Sequence, residues 1–236
     1  MGVELSQRPW PAAHDWRDGA TWLRTLLECG AVRLPGVPIE PNHCGLHRVA
    51  ALLGPPSLRA VSRQPDLNQG RGVQSVRALA QPIGNRFGET LRSSGSEAFP
   101  LHTDEAFLER PCRWVLLHCW QADPDGRGAS VLADLRQLAL ADRPTLTRPL
   151  PYRCGMHVTL PEGAPARFNP EALQSPLNDG DLQAVDRIAA ALAAQSVRFL
   201  LQQGELLVID NWRLAHGREA FSPESSRLLL RLRLLG

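Results

Sequence analysis

Lysine is missing altogether, so all 26 basic residues are arginine. Without a lysine amine there is no Schiff base to form, which excludes pyridoxal-phosphate enzymes, and no P-loop lysine to meet a nucleotide phosphate. Long apolar runs are missing too. Nothing approaches the ~20 residues that cross a bilayer, and the opening "MGVELSQRPW" lacks the basic-then-apolar layout of a secretory signal. That opening fits the loose M-G-x-x-x-S acylation pattern, but no polybasic neighbour supplies the second anchor that a single acyl chain requires. The five cysteines (Cys29, Cys44, Cys112, Cys119, Cys154) are odd in number and never spaced C-x-x-C, which speaks against a disulfide framework and a zinc ribbon. They read as reduced, mostly core-packed thiols of a cytoplasmic protein. An excess of one charge is also lacking: the formal net charge is +2, with no basic stripe to track phosphates, so neither nucleic acid nor membrane is an expected partner.

What remains is an ordinary globular composition. The 236 residues, 43% of them apolar and 21% charged, suffice for one domain spanning 1–236 with a real core. The surplus of arginine, alanine, leucine and proline fits a GC-rich bacterial gene. "DWRDGATWLRTLLEC" (15–29) spaces Trp16, Trp22, Leu23, Leu26 and Leu27 as a helix, with Gly30 suited to its C-terminal cap. "AVRLPGV" reads as a strand and "PNHCGLHRVAALLGPP" as a second helix stopped by Gly54 and two prolines. After a polar, glycine-spotted stretch (57–98) with one strand near "VQSVRAL", strands dominate: "CRWVLLHCW", "ASVLAD", "PYRCGMHVTL", "ELLVID" and "SRLLLRLRLL". "PEGAPARFNPEALQSPLNDG" is a candidate mobile cover, and "DLQAVDRIAAALAAQSVRFL" is an amphipathic helix. Helices first, then many strands with one late helix, predict an α+β fold with a mainly β core: a double-sheet roll (jelly roll) with helical buttresses.

Two stretches carry chemistry. "FPLHTDEAF" (99–107) sets His102 and Asp104 two apart, a pairing that also arises by chance. "GELLVIDNWRLAHGREAFSPESSRLLLRLRLL" has a strand delivering His216 at its far end and a hairpin back into a strand with Arg227, Arg231 and Arg233. Strand residues two or four apart share a face, so these arginines point one way and leucines 228, 230, 232 and 234 the other. The leucine face is core; the arginine face, on pattern alone, could be plain solvated surface. His43 and His47, four apart, lack an E-x-x-H context and read as packing or surface histidines.

Together, "FPLHTDEAF" and "VIDNWRLAHGREAF…RLLLR" resemble the iron(II)/2-oxoglutarate dioxygenases of the TauD/TfdA and clavaminate-synthase-like family, over roughly residues 95–235. The resemblance implies a double-stranded β-helix in which His102, Asp104 and His216 form a 2-His-1-carboxylate triad around Fe(II), leaving positions for 2-oxoglutarate and O2. By matched position it implies Arg227 for the far carboxylate of 2-oxoglutarate, with Ser130 of "GRGAS" standing where the family has a threonine. Arg231 matches the arginine that holds an acidic group of the substrate, and Glu105 and Phe107 fall where the family lines its substrate pocket. Asn211 and Trp212 are expected to fix the strand end, Arg218 to make structural ion pairs, and Arg233, His118 and His157 to be structural. "ARFN" (166–169) resembles a substrate-side segment of some relatives.

The implied reaction oxidises an unactivated C–H of a small acid-bearing molecule, an amino acid or natural-product intermediate, with release of CO2 and succinate. Hydroxylation is the default outcome, and desaturation or cyclisation stays open. Asp104 argues against halogenation, because family halogenases have a small residue there. Homo-oligomerisation is left open by the sequence. The rivals are a non-catalytic roll that binds metal or a small acid, and a zinc hydrolase, for which no general base stands out.

Overall fold

The computed structural model describes residues 10–58, 67–81, 83, 92–138 and 143–236. The acylation pattern at the N-terminus lies outside them. The chain begins with β1 (Ala12–Ala13), α1 (Gly19–Cys29), β2 (Ala31–Leu34), α2 (Cys44–Ala50) and β3 (Gln74–Val76). It continues through β4 (Phe99–His102), β5 (Trp114–Gln121), β6 (Ser130–Asp134), α3 (Arg143–Thr147), β7 (Pro149–Tyr152) and β8 (Gly155–Val158). The last elements are α4 (Asp179–Ala194), β9 (Val197–Phe199), β10 (Leu206–Asp210), β11 (Leu214–Arg218) and β12 (Leu228–Leu234). A large sheet runs β1-β2-β10-β5-β12-β3, a smaller one β4-β11-β6-β9, and β7-β8 form a separate pair. The result is a sheet-rich α+β architecture.

Alternation along the strands builds the layers. Val32, Leu116, Val208, Leu230 and Leu232 on one face of the large sheet pack against Trp22 and Leu26 of α1 and Leu46 and Val49 of α2. Each leucine so buried contributes ~2 kcal/mol relative to leaving it in water. The opposite face, with Ala31, Val115, Leu207 and Ile209, meets Leu132 and Leu214 of the small sheet. The far side of the small sheet, through Ala133 and Ala215, packs beneath Ala184, Val185, Ile188 and Leu192 of α4. The helices end where local chemistry ends them. Asp18 caps α1 by accepting from Thr21 N at 3.2 Å. Gly30, at φ 81°, turns left-handed and returns its N–H to Leu26 O. Asn178 caps α4 by accepting from Asp181 N.

Four expectations are corrected. "PYRCGMHVTL" is not one strand but the end of the first arm, the turn and the second arm of the β7–β8 hairpin, which reverses at Arg153–Cys154 ahead of Gly155 at φ 133°. His216 does not end the strand that begins at "ELLVID". Asp210 accepts from Trp212 N at 3.1 Å, an Asx-type turn that breaks the run, and His216 lies mid-way along the separate β11. Nor do β11 and β12 form a hairpin, since they belong to different sheets. At 166–168 the expected mobile cover is pinned: Thr103 N donates to Phe168 O at 2.6 Å, Phe168 N donates to Thr103 Oγ1, and Phe168 is buried.

Candidate metal centre

His102 and His216 are Cα partners in the antiparallel pairing of β4 with β11. Opposed strand residues bring their side chains together on one face, and here the ring centroids lie 4.5 Å apart. Asp104 follows two residues after His102, just past the end of β4. Its main chain is fixed by Asn211 of the Asx turn: Asp104 N donates to Asn211 Oδ1 at 2.7 Å, and Asn211 Nδ2 donates to Asp104 O and Cys112 O. Asn211 and Trp212 are thus strand-end fixtures, with Trp212 Nε1 donating to Pro111 O.

One nitrogen or oxygen from each of His102, Asp104 and His216 lies within 4.8 Å of the others, and all three residues are buried. His102 Nδ1 sits 2.9 Å from Pro100 O; a carbonyl only accepts, so Nδ1 carries the proton and the Nε2 lone pair stays free. Nε2 has no hydrogen-bond partner and lies 3.5 Å from Asp104 Oδ1, while His216 Nδ1 is buried and also unpartnered. Ligands roughly 2.1 Å from one ion stand about 3 Å apart when adjacent, so this pair would close by only about 0.5 Å. Two imidazoles, one carboxylate and orphaned buried nitrogens fit a divalent metal.

Electrostatics keep two of the donors deprotonated. Burial, with His102 and the nearby arginines adding to it, pushes the His216 imidazole down to about 3. Burial alone would raise the Asp104 carboxyl, but the guanidiniums of Arg231 and Arg233 hold it well below the usual carboxylate range. A metal entering at neutral pH therefore displaces no proton from these two groups.

The arginine face of β12 is not solvated surface: Arg227 and Arg233 are 5% and 8% exposed. Burying a guanidinium costs several kcal/mol unless something compensates. Arg233, given only a structural role from the sequence, donates from Nε to Asp104 Oδ2 at 2.7 Å. Arg231 Nη1 reaches the same carboxylate at 3.4–3.5 Å, and its Nε has no partner. Burial lowers Arg231 to about 10 with Arg233 adding to it; burial also presses Arg233 down, but the charge and hydrogen bond of Asp104 together with Cys112 and Glu105 outweigh it and raise Arg233. Arg233 is the primary partner. Arg227 Nη1 is buried with no hydrogen-bond partner, and the Arg227 guanidinium lies 5.3 Å over the Phe221 ring.

A cavity between the two sheets is lined by His102, His216, Ser130, Arg227, Arg231 and Arg218, with Val76, Phe99, Leu117 and Leu229 among its apolar walls. Glu105 and Phe107 are not among its lining residues. Glu105 is buried at φ 58°, and its carboxylate accepts from Ser57 Oγ at 3.0 Å and Cys112 N at 2.8 Å, which ties down the loop after Asp104. Phe107 packs against the cluster under α4. Arg218 makes no ion pair among the described residues: it donates to the carbonyls of Gly95, Ser96 and Glu219 and lies over Phe221. His118 Nε2 contacts Val37 O, and His157 packs by Tyr152. Arg167 of "ARFN" donates to the carbonyls of Ala106, Leu108 and Glu109, so it staples the metal loop. Sequence reasoning missed Gln74, whose Oε1 accepts from Arg233 Nη1 at 2.7 Å. No motif marks it; the only signal is its place opposite Arg231 in the β3–β12 pairing.

The model of the taurine catabolism dioxygenase TauD, TfdA family matches residues 2–148 and 154–233. L-asparagine oxygenase of Streptomyces coelicolor is 27% identical over 263 residues, covering 94% of this chain and 75% of that one. Clavaminate synthase 2 of Streptomyces clavuligerus is 29% identical over 155 residues, covering 56% of this chain and 48% of that one. A solved asparagine oxygenase, in complex with Fe(II), 2S,3S-3-hydroxyasparagine and succinate, superposes with a TM-score of 0.68 at 23% identity, covering 93% and 78% of the two chains. With a family model spanning almost its whole length, this chain belongs to the TauD/TfdA dioxygenase family.

Proposed function

We propose that this iron(II)- and 2-oxoglutarate-dependent oxygenase hydroxylates an unactivated C–H of an amino acid or related small acid. His102, Asp104 and His216 hold the metal, Arg227 with Ser130 receives the far carboxylate of 2-oxoglutarate, and Arg231 meets the acid group of the substrate. The single observation carrying the reading is the convergence on one cavity of two metal-competent histidines and a buried arginine whose Nη1 lacks a partner. A buried cation without an anion asks for one, and a keto acid held at one end by metal and at the other by guanidinium answers both demands. Bound iron supplies the activation of O2; the chain's own residues orient the two acids and exclude bulk water. Arg231 is suited to exchange, because its contacts with Asp104 are long, whereas the cavity now has only about 40 Å³ of room for solvent. Swinging Arg231 toward a substrate anion enlarges it.

The same reading takes the two sheets enclosing the site as a double-stranded β-helix, and 1–236 as one catalytic domain of a cytoplasmic enzyme without nucleic-acid or membrane partners. Among the described residues no helix is long and apolar enough to cross a membrane. The amino-acid substrate class is supported by the name of the L-asparagine oxygenase relative. Glu105 and Phe107, on the loop that leads away from the metal, shape the substrate side indirectly. The test is anaerobic addition of Fe(II) and 2-oxoglutarate. The weak visible charge-transfer band of a chelated keto acid is expected, together with succinate release on admitting O2 that rises with the right amino acid. A colourless mixture, or retained zinc with ester or amide cleavage, would overturn the reading.

A further inference from the structure

Asp104 has more cationic company than charge balance requires. Arg233 Nε donates to Oδ2 at 2.7 Å, and its Nη1 donates to Gln74 Oε1 at 2.7 Å. Gln74 is 4% exposed and comes from β3, the strand beside β12. Arg231 contacts both carboxylate oxygens, but at 3.4–3.5 Å, and reaches Gln74 Oε1 at 3.4 Å. We propose that Arg233, locked by Gln74, is a positioning residue that occupies the Oδ2 edge of Asp104 and confines this carboxylate to ligation through Oδ1, with Arg231 the exchangeable cation of the pair. The inference rests on the metal reading of His102, Asp104 and His216.

The consequence lies in counting positions. A carboxylate ligates through one oxygen or two. With one, a three-residue site leaves three positions for a chelating keto acid and a third ligand; with two, it leaves only two. Oδ1 is the oxygen facing His102 Nε2 at 3.5 Å, and Oδ2 is the one already bonded to Arg233. A planar guanidinium with separate donors on Nε and Nη1 can hold Asp104 and Gln74 at once, which an ammonium cannot do with the same fixed geometry. Partners of this kind orient ligands and tune the metal. Being cationic, this one also repels an incoming divalent ion, so its removal does not weaken metal binding as loss of a neutral support would.

The test uses Co(II) in place of iron, without turnover. Wild-type protein is titrated with Co(II) under argon and then with 2-oxoglutarate, following the visible band and heats of binding. Arg233→Met is expected to bind Co(II) at least as tightly as wild type, with an altered visible band, and to lose about tenfold or more in 2-oxoglutarate affinity. Arg233→Lys, which keeps a cation within reach of Oδ2 but cannot hold Gln74 at the same time, is expected to restore the band only in part. Should Arg233→Met fail to fold, Gln74→Leu is expected to shift band and affinity in the same direction by a smaller amount. An unchanged band and 2-oxoglutarate affinity would overturn the clamp while leaving the metal centre standing. Weaker Co(II) binding in Arg233→Met would make Arg233 a structural support only, and also overturns it. Failure of the wild type to bind Co(II) would overturn the metal reading and the clamp together.

Discussion

Each side-chain group of Asn211 is occupied, and the residue is fully buried. Its amide oxygen accepts from Asp104 N, and its amide nitrogen donates to the carbonyls of Asp104 and Cys112. Asn211→Ala leaves these backbone groups buried without partners, each costing ~1–3 kcal/mol. A loss of roughly 2–4 kcal/mol in urea unfolding is expected, with weaker metal binding because the Asp104 backbone is no longer fixed. Unchanged stability would show that water takes the amide's place. Arg227 is the contrasting case, since among the described residues its guanidinium has no carboxylate in contact to lose. Arg227→Ala is expected to leave stability nearly unaltered while raising the 2-oxoglutarate requirement ~30-fold or more, the usual scale for deleting one partner of a buried charge pair. Arg231→Ala is expected to act mainly on the apparent affinity for the amino-acid substrate. Steady-state kinetics varying one substrate at a time separate the two, and equal, negligible effects would remove both arginines from the site.

At the scale of elements, the site depends on how closely β4 lies against β11. Gly217 follows His216, and a Cβ built on it would come within 2.7 Å of Phe99 O and 3.1 Å of Leu101 N, both backbone atoms of β4. Backbone cannot step aside as a flexible side chain can, so Gly217→Ala is expected to push β4 outward and part His102 from its cross-strand partner. Metal affinity should fall by an order of magnitude or more, with a far smaller change in the circular dichroism of the fold; wild-type metal affinity would show that the two strands tolerate separation. This register is what the sequence left illegible. Alternation in "SRLLLRLRLL" sorted leucines from arginines, because burial on a pleated strand has period two, and Gly30 announced the end of α1 through its left-handed turn. Which sheet a strand joins depends on long-range pairing. The break at Asp210, the parting of β11 from β12 and the arrival of Gln74 beside Arg233 therefore left no local mark. The conformation of Glu105 was illegible for the same reason. Its position suggested a pocket wall, but the positive φ there turns its carboxylate to Ser57 and Cys112.

Across the whole molecule, five of the imidazoles act in the same direction. Burial lowers His43, His47, His118 and His157 from the ordinary histidine value, and His216 most, to about 3. The unfolded chain takes up protons near pH 6.5 that the folded chain refuses until the pH is lower, so stability rises with pH across this window and is lost as pH falls through it. Asp104 adds to the loss at the acid end, where protonation of its depressed carboxyl breaks the contacts with Arg233 and Arg231. Asp210 opposes, since burial raises it and folding favours its proton. One raised carboxyl does not offset five lowered imidazoles. For His216 alone, moving from pH 7 to pH 5 costs ~2 kcal/mol, or about 1 M in urea midpoint at a typical slope. Metal-free protein is therefore expected to lose at least that much over those two pH units, and His216→Gln, which does not titrate, should remove the largest single share of the slope. A divalent metal demands the same neutral imidazole and ionised carboxylate that His216 and Asp104 already present in the folded protein at both pH 7 and pH 5, so loading Mn(II) is expected to raise the midpoint at either pH, with no loss between them from these two groups. A midpoint that Mn(II) raises as much in His216→Gln as in wild type would mean that His216 is not among the ligands, and would take the proposed triad down with it.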